Sequence, residues 1–216
     1  MSDPIQLLST TVEISNTLAP AKVITGITKA TEAVLTSTAH GFLAGDIILI
    51  DAVVGMNQIN KVPIRVKTAP TANDFTAEGL DSTGFTTYVS GGTAQKVTSF
   101  LSFDVMTTFN FPEPQPNKQS VTTIHASSEK EVFGLDSAPT CTMDCNAQPL
   151  DATIKYVRKV SLAKSDAILR AKFQNGNVML VNAKWAGGRG IDGSAGEVAK
   201  AQISLSFVCD EQWFVS

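Results

Sequence analysis

The residues able to carry out chemistry are few and widely separated in the sequence. The two histidines, His40 and His125, lie in different regions of the chain. Neither has a nearby cysteine, serine and carboxylate in the arrangement of a known nucleophile motif. We therefore expect structural roles for both, with His40 serving as a turn residue, and we expect no enzymatic activity.

The three cysteines do not form a recognisable metal or disulfide pattern. Cys141 and Cys145 are four residues apart, which in a strand places them on one face with about 13 Å between them at ~3.3 Å per residue. That is too far for a disulfide and unlike the short loop spacing of zinc sites. With Cys209 they make an odd number, which predicts free thiols, no metal and no cofactor.

Two further patterns have simple structural interpretations. Residues 187–196, GGRGIDGSAG, are rich in glycine but lack the GK[ST] of a phosphate loop and precede a strand rather than a helix. A flexible connection is predicted there. Arg170, Lys172 and Lys184 are basic, but no aromatic residues are interleaved with them as single-strand nucleic-acid binding requires. Solvated charge or pairing between subunits is the preferred interpretation.

The composition narrows the class of protein. Of 216 residues, 17% are charged and 43% hydrophobic, and the formal net charge is −3. A negative balance argues against binding to nucleic acid by phosphate neutralisation. There is no apolar run of about 20 residues and no basic-then-apolar leader, so we expect a protein made and kept in a cytoplasm, without membrane insertion. The low charge content suggests a surface used for contacts between subunits.

The predicted elements are strands, with one helix. Residues 167–185 indicate a long β-hairpin, with Asn175-Gly176 in a type I′ turn. Residues 149–164 show helical spacing and begin with a proline. Other strands are expected at residues 6–14, 98–111, 121–126, 138–147 and 198–209. Three prolines between residues 112 and 116 predict an exposed arm rather than a central strand.

Between residues 22 and 97 the sequence changes to short strands separated by turn signals, which predicts a small barrel or sandwich. Strands are expected at residues 23–27, 33–37, 47–52, 64–67, 74–77 and 86–88. The stretch carries Ala39-His40-Gly41, Gly45-Asp46, Gly55-Met56, Asp81-Ser82-Thr83-Gly84 and Gly91-Gly92. With these residues it resembles a small β-barrel module of phage structural proteins, similar to the first catalytic-cysteine half-domain of ubiquitin-activating enzymes. It contains no cysteine, so the resemblance concerns fold and not ubiquitin chemistry.

The rest of the chain carries a second set of motifs in a fixed order. The helix PLDATIKYVRKVSLAK leads into the hairpin LRAKFQNGNVMLVNAKW and then the strand EVAKAQISLSFVCD. This order resembles the major tail tube protein of phages with long, non-contractile tails. Residues 1–21 and 98–216 would then form the tail tube domain, and residues 22–97 an inserted decoration domain.

The resemblance implies a mainly β fold, a tail-tube-like sandwich or barrel with one flanking helix. It implies hexameric rings that stack into the hollow tube through which DNA passes during ejection. The implied partners are other copies of the chain, the tape measure protein and the tail terminator. DNA would pass without specific binding, and the protein would reside in the virion tail after assembly in the host cytoplasm.

Two groups of residues are candidates for this function. Polar positions on alternating strands are expected to face the lumen: Ser102, Asp104, Gln202 and Ser204. The proline-broken segment is expected to act as an arm between rings: Asn110, Pro112, Glu113, Pro114, Gln115, Pro116, Asn117 and Lys118.

Two alternatives belong to other classes. One is a virion-attached module that binds carbohydrate or cell surfaces, with Trp185, Tyr88 or Trp213 as stacking platforms; aromatic residues make up only 7% of the chain. The other is a capsid decoration protein. Ring symmetry separates a tube from a capsid decoration, and assembly with rising concentration separates both from a monomeric binding module.

Overall fold

The computed structural model describes residues 7–67, 70–125 and 127–215. The described chain is mainly β with one helix, α1 (Ala152–Ala163), which confirms the expected fold class. That helix is not long and apolar enough to cross a membrane. The strands are β1 (Thr11–Leu18), β2 (Lys22–Val23), β3 (Gly26–Ile27), β4 (Val34–Thr36), β5 (Ile47–Val54), β6 (Pro63–Arg65), β7 (Asp74–Thr76), β8 (Ser90–Ser102), β9 (Met106–Asn110), β10 (Pro116–Ser120), β11 (Glu131–Asp136), β12 (Thr140–Asn146), β13 (Asp166–Lys172), β14 (Asn177–Gly187), β15 (Lys200–Phe207) and β16 (Gln212–Val215).

One large antiparallel sheet joins most of these strands. Its order is β6-β5-β8-β1-β13-β14-β15-β12-β9, with β2 pairing β8 and β16 pairing β14. The sheets stay open rather than closing into a barrel, so β6 and β9 leave free edges among the described strands. A second sheet, β3-β4-β7, lies within residues 22–97, and β10 pairs with β11 alone.

The hairpin predicted at residues 167–185 is present as β13 and β14. Its register runs from Asp166 opposite Lys184 to Lys172 opposite Val178. The predicted type I′ turn is wrong. The Gly176 N–H donates to the Phe173 carbonyl, and Gly176 alone takes a positive φ, of 82°. Phe173 and Asn177 flank the loop, so the connection is a three-residue loop with a left-handed glycine and a bulge.

Two predicted strand starts are wrong, that of β1 and that of its neighbour β8. The first strand begins at Thr11 rather than at residue 6, because Leu7 and Leu8 are exposed and only later residues find partners in β8 and β13. Residue 6 itself lies outside the described residues. Residues 86–88 do not form a strand. Instead β8 begins at Ser90 and continues for 13 residues, through Gly91 and Gly92, into the part of the chain that follows residue 97.

The segment after β8 also differs from expectation. The chain turns at residues 103–105, which divides the predicted strand 98–111 into the end of β8 and β9. The arm contains a strand, β10, whose only partner among the described strands is β11. Residues 121–125 form a turn instead of the predicted strand, and residue 126 lies outside the described residues. The strand β16 was not predicted, and it pairs with the first half of β14.

The helix α1 starts three residues after its predicted start. Asp151 is its N-cap, and its Oδ1 accepts hydrogen bonds from the N–H groups of Thr153 (2.8 Å) and Ile154 (3.1 Å). Lys164 ends the helix in the left-handed conformation. Ile154, Val157 and Val160 are buried against the sheet, whereas Leu150, expected in the same stripe, lies before the helix and is exposed.

Replacing Asp151 with alanine should lower the free energy of unfolding by about 0.5–2 kcal/mol, because two helix N–H groups lose their acceptor. Asp151→Asn is the matched control, since asparagine also caps helices well. Urea denaturation followed by circular dichroism measures both. Equal losses for alanine and asparagine would show that the cap is not the source of the stability.

Buried residues form three clusters. The body cluster joins α1 to one face of β1 and β12–β15, and it contains Ile14, Met143, Val157, Leu169, Trp185 and Leu205. The module cluster lies within residues 24–94 and contains Leu35, Ile50, Met56, Ile64 and Phe75. The junction cluster consists of Ile47, Val97, Ile168, Leu180 and Phe214, so it draws on both parts of the chain. The domain boundaries at 21/22 and 97/98 stay a prediction, and β8 crosses the second without interruption.

Candidate assembly surfaces

The outer face of β15, β12 and β9 is polar. Along β15 burial alternates strictly, which confirms the predicted alternation: Ala201, Ile203, Leu205 and Phe207 are buried and the residues between them are exposed. Thr142 lies opposite Ser204 and Asn110, and Asp144 lies opposite Gln202 and Thr108. These facing side chains form a continuous surface, here called the polar face: Thr108, Asn110, Thr142, Asp144, Gln202 and Ser204.

Asp144 is the one charged residue of the polar face, and its carboxylate accepts two hydrogen bonds. The Gln202 side-chain amide donates to Asp144 Oδ1 (3.1 Å), and the Thr108 hydroxyl donates to Asp144 Oδ2 (2.9 Å). Both carboxylate oxygens therefore have neutral donors, and Lys184 and Lys200 lie only at the margins, beside Ser206 and Asn146. The six residues of the polar face themselves offer no cation to phosphate groups, and Lys200, two residues before Gln202, projects from the same side of β15.

The structure separates the four lumen candidates into two pairs. Gln202 and Ser204 belong to the polar face. Ser102 lies at the end of β8, and β1, β13 and β14 separate β8 from β15 in the sheet. The Ser102 hydroxyl donates to Asp104 Oδ1 (2.6 Å), and the Thr153 hydroxyl of α1 donates to the Ser102 carbonyl (2.7 Å). Ser102 and Asp104 thus lie beside the start of the helix and outside the polar face.

The predicted arm lies against the main sheet only at its beginning. Asn110 is the last residue of β9, and Pro112, Glu113, Pro114 and Gln115 connect it to β10. Pro116, Asn117 and Lys118 belong to β10, which pairs with β11. We call β10, β11 and the loop between them the arm hairpin.

The arm hairpin exposes large apolar side chains. Leu135 is 91% exposed and Phe133 64%, and Val132 is also exposed. Lys118 lies over the Phe133 ring, 5.6 Å from its centroid, and its Nζ is 3.5 Å from Glu131. A two-stranded hairpin is marginally stable without a partner surface, and apolar side chains this exposed are typical of a contact with another molecule.

Residues 22–97, the module, also form noncovalent contacts with the rest of the protein, here called the body. The buried Asn182 of β14 donates to the Lys61 carbonyl (3.1 Å). Arg65 forms two hydrogen bonds to Glu78, donates to the Val215 carbonyl (2.7 Å) and lies over the Phe214 ring at 4.8 Å. Together with the junction cluster, these contacts fix the module on the outer side of β13, β14 and β16.

The basic residues of the hairpin are paired within the chain. Arg170 Nε is 2.5 Å from Glu13 Oε2, Lys172 Nζ is 3.2 Å from the same oxygen, and the Arg170 guanidinium lies 3.6 Å from the centroid of Phe100. Lys184 is exposed. Glu13 on β1 pairs with the first two and offsets one of their two charges, so the hairpin presents no open cluster of unpaired cations.

Cys141, Cys145 and His40 are buried in structural positions, and Cys209 is half-buried. Burial raises the pKa of Cys141 to about 12 and the pKa of Cys145 to about 11, so both are protonated at neutral pH. All three cysteines are free thiols, as predicted. His40 packs between Phe42 and Phe75, and its Nδ1 accepts the Phe42 N–H (2.9 Å), which fits the predicted turn role. No group of metal ligands occurs among the described residues.

The aromatic residues proposed as carbohydrate platforms mostly form contacts within the chain. Trp185 is buried and stacks on Phe103, with ring centroids 5.7 Å apart, and its Nε1 donates to the Ala167 carbonyl. The Tyr88 hydroxyl donates to the Ile24 and Gly91 carbonyls. Trp213 is half-exposed but stacks on Phe173. The prediction of Trp185 as a binding platform is therefore wrong, because its ring completes the body cluster.

Comparison with known proteins finds a family model that matches part of the chain, within the module and one residue beyond it. Residues 29–98 match the family model of the ubiquitin-activating enzyme E1 FCCH domain, a small non-catalytic domain. No curated protein matches the chain. The matched residues contain no cysteine. The predicted resemblance of the inserted module to this half-domain is therefore confirmed over residues 29–98, a third of the chain.

Proposed function

We propose that the protein is the tube subunit of a long, non-contractile phage tail. Copies assemble into hexameric rings, the rings stack into a hollow tube, and DNA passes through the tube during ejection. The observation that carries the proposal is the arm hairpin, which exposes Phe133 and Leu135 and pairs with no strand of the main sheet within the described residues.

The open sheet supports assembly into a closed ring. The edge strand β9 pairs on one side with β12 and leaves its other side without a strand partner in the described chain. Unpaired edges favour pairing with another chain, and a ring of identical subunits removes them. The low charge content, 17%, agrees with extensive contacts between subunits.

The polar face supplies the wall of the channel in this proposal. It lies on the strands next to the β9 edge, and its single carboxylate is bonded to Gln202 and Thr108. Neutral hydroxyls and amides carry no charge that neutralises phosphate, so they hold DNA only weakly and let it slide. The module lies over β13, β14 and β16, on the same face of the sheet as the polar face. Its place on the outer wall is taken from the resemblance to tail tube proteins.

Replacing Gln202 and Ser204 with lysine should impair DNA ejection while tubes still form. Both side chains are exposed and project from β15, so the fold accepts lysine there, whereas six copies would line the channel with cations that bind phosphate. The measurement is infectivity and DNA release of phage carrying the variant, with tails counted by electron microscopy. Asp104→Lys, outside the polar face, is the matched control; an equal defect in the control would contradict the assignment of the channel wall.

Assembly itself is tested by sedimentation over a range of protein concentrations. The proposal expects monomers to convert into large particles as concentration rises. Monomers at every concentration would instead favour a module that acts singly at a surface.

A further inference from the structure

A cleft of about 400 Å³ lies where the module meets the last turn of the body. Its module side comes from the 3-10 turn Asn57–Ile59 and from Phe85, and its body side from the segment between β15 and β16. It is separate from both the polar face and the arm hairpin.

Several polar side chains in the cleft have hydrogen-bonding capacity to spare. Among the described residues, no partner bonds the side chains of Asn57, Asp210 or Gln212. Gln58 uses its oxygen to accept the Thr86 hydroxyl (2.8 Å), which leaves its amide hydrogens available. Asn60 differs, because both ends of its amide bond the backbone of Val53 and hold the loop in place.

The other lining residues are apolar. Val62 and Leu80 are buried members of the module cluster, and Phe85 packs against the same cluster while remaining half-exposed. Cys209 contacts both the module and body clusters. The cleft is therefore lined mainly by polar groups, with the half-exposed Phe85 ring as its accessible aromatic surface.

The charged groups that line the cleft indicate which class of ligand it can bind. Asp210 is its one ionisable carboxylate, and neither lysine nor arginine lines it, so phosphates and other anions find no counter-charge. Amides and a carboxylate together donate to and accept from adjacent hydroxyl groups, while the half-exposed Phe85 ring offers an apolar surface to the C–H face of a sugar ring. We propose that this cleft binds neutral saccharides, which on a phage tail would give weak adhesion to host-surface glycans.

Binding can be observed directly through the side-chain amide signals of Asn57, Gln58 and Gln212 in nitrogen–proton correlation spectra of the full chain, recorded below the concentration at which it assembles. The probes are methyl glycosides of glucose, galactose and N-acetylglucosamine, with sialic acid as an anionic comparison. We expect at least one neutral glycoside to shift these signals and the neighbouring backbone signals, with a Kd of about 1 mM. Sialic acid should bind more weakly, because Asp210 repels it.

Variants assign the shifts to the cleft. Asp210→Ala combined with Gln212→Ala should weaken binding about tenfold or more, because two hydrogen-bonding side chains are lost. Both residues lie on a surface segment, so the backbone spectrum should otherwise remain unchanged. Gln119→Ala, on the exposed arm hairpin, should bind like the parent protein.

Three results would overturn the proposal. The first is the absence of cleft shifts with every neutral glycoside at about 50 mM, and the second is unchanged affinity in the double variant. The third is tighter binding of sialic acid than of the neutral sugars. The proposal does not depend on tube formation, so failure to assemble leaves its test intact.

Discussion

Replacing Phe133 and Leu135 with aspartate should abolish stacking of rings into tubes while the subunit remains folded. Leu135 is 91% exposed and Phe133 64%, so neither contributes much to the stability of the isolated chain. We expect the free energy of unfolding to change by no more than about 0.5 kcal/mol. Between rings, however, two buried carboxylates per subunit would carry a large desolvation cost, repeated at every copy.

The measurement is the length of assemblies seen by electron microscopy, together with urea denaturation of the same samples. Leu150→Asp is the matched control, because Leu150 is 82% exposed but lies before α1 and outside the arm hairpin. If the Phe133→Asp/Leu135→Asp variant forms tubes of normal length, the arm hairpin does not form the contact between stacked rings.

Trp185→Ala should be among the most destabilising single substitutions in the chain. The Trp185 ring is 4% exposed, stacks on Phe103 and donates from Nε1 to the Ala167 carbonyl at 2.9 Å. Truncation leaves a cavity in the body cluster and an unpaired carbonyl on β13. The expected loss is about 3–5 kcal/mol in the free energy of unfolding, measured by urea denaturation.

Two further variants show which interaction matters. Trp185→Phe keeps an aromatic ring beside Phe103 but removes the indole donor. Its loss in the free energy of unfolding should therefore be well below that of Trp185→Ala. The Trp213 ring is 45% exposed, so Trp213→Ala should lower the free energy of unfolding by less than Trp185→Ala does. If Trp185→Ala and Trp213→Ala had equal effects, the ring of Trp185 would not be a core residue.

The elements with strong local patterns could be predicted from the sequence. The alternation in β15 placed Ile203 and Leu205 inward, and β12 lies within the strand expected at residues 138–147. The helix was recognisable from its spacing and from Asp151, although its start was set by the cap rather than by Pro149. In each case one short segment contains the information that decides its structure.

The parts that depend on distant partners could not be predicted in this way. β1 begins at Thr11 because β8 and β13 lie beside it, and the buried Ser15 hydroxyl accepts the Ile168 N–H (2.9 Å), a contact 153 residues apart in sequence. Gly91 and Gly92 suggested a break, yet β8 passes through both. At Gly92, with φ of 104°, a Cβ would lie 2.7 Å from Val53, so only glycine allows the neighbouring strand to approach.

The polar face illustrates the same limit at the candidate site. Gln202 and Ser204 were identified because alternation in one strand reveals its outer side. Asp144 was missed as a member, although the alternation of TCTMDCN already placed it opposite the two buried cysteines. What the sequence lacked was the pairing of β12 with β15, which brings Asp144 to Gln202 and excludes Ser102 and Asp104.

Electron microscopy of the concentrated, purified protein tests the central claim most directly. The tail tube proposal predicts sixfold rings, or hollow tubes built from them, with density for residues 22–97 on the outside of the wall. Particles of another symmetry, or isolated monomers at every concentration, would contradict it.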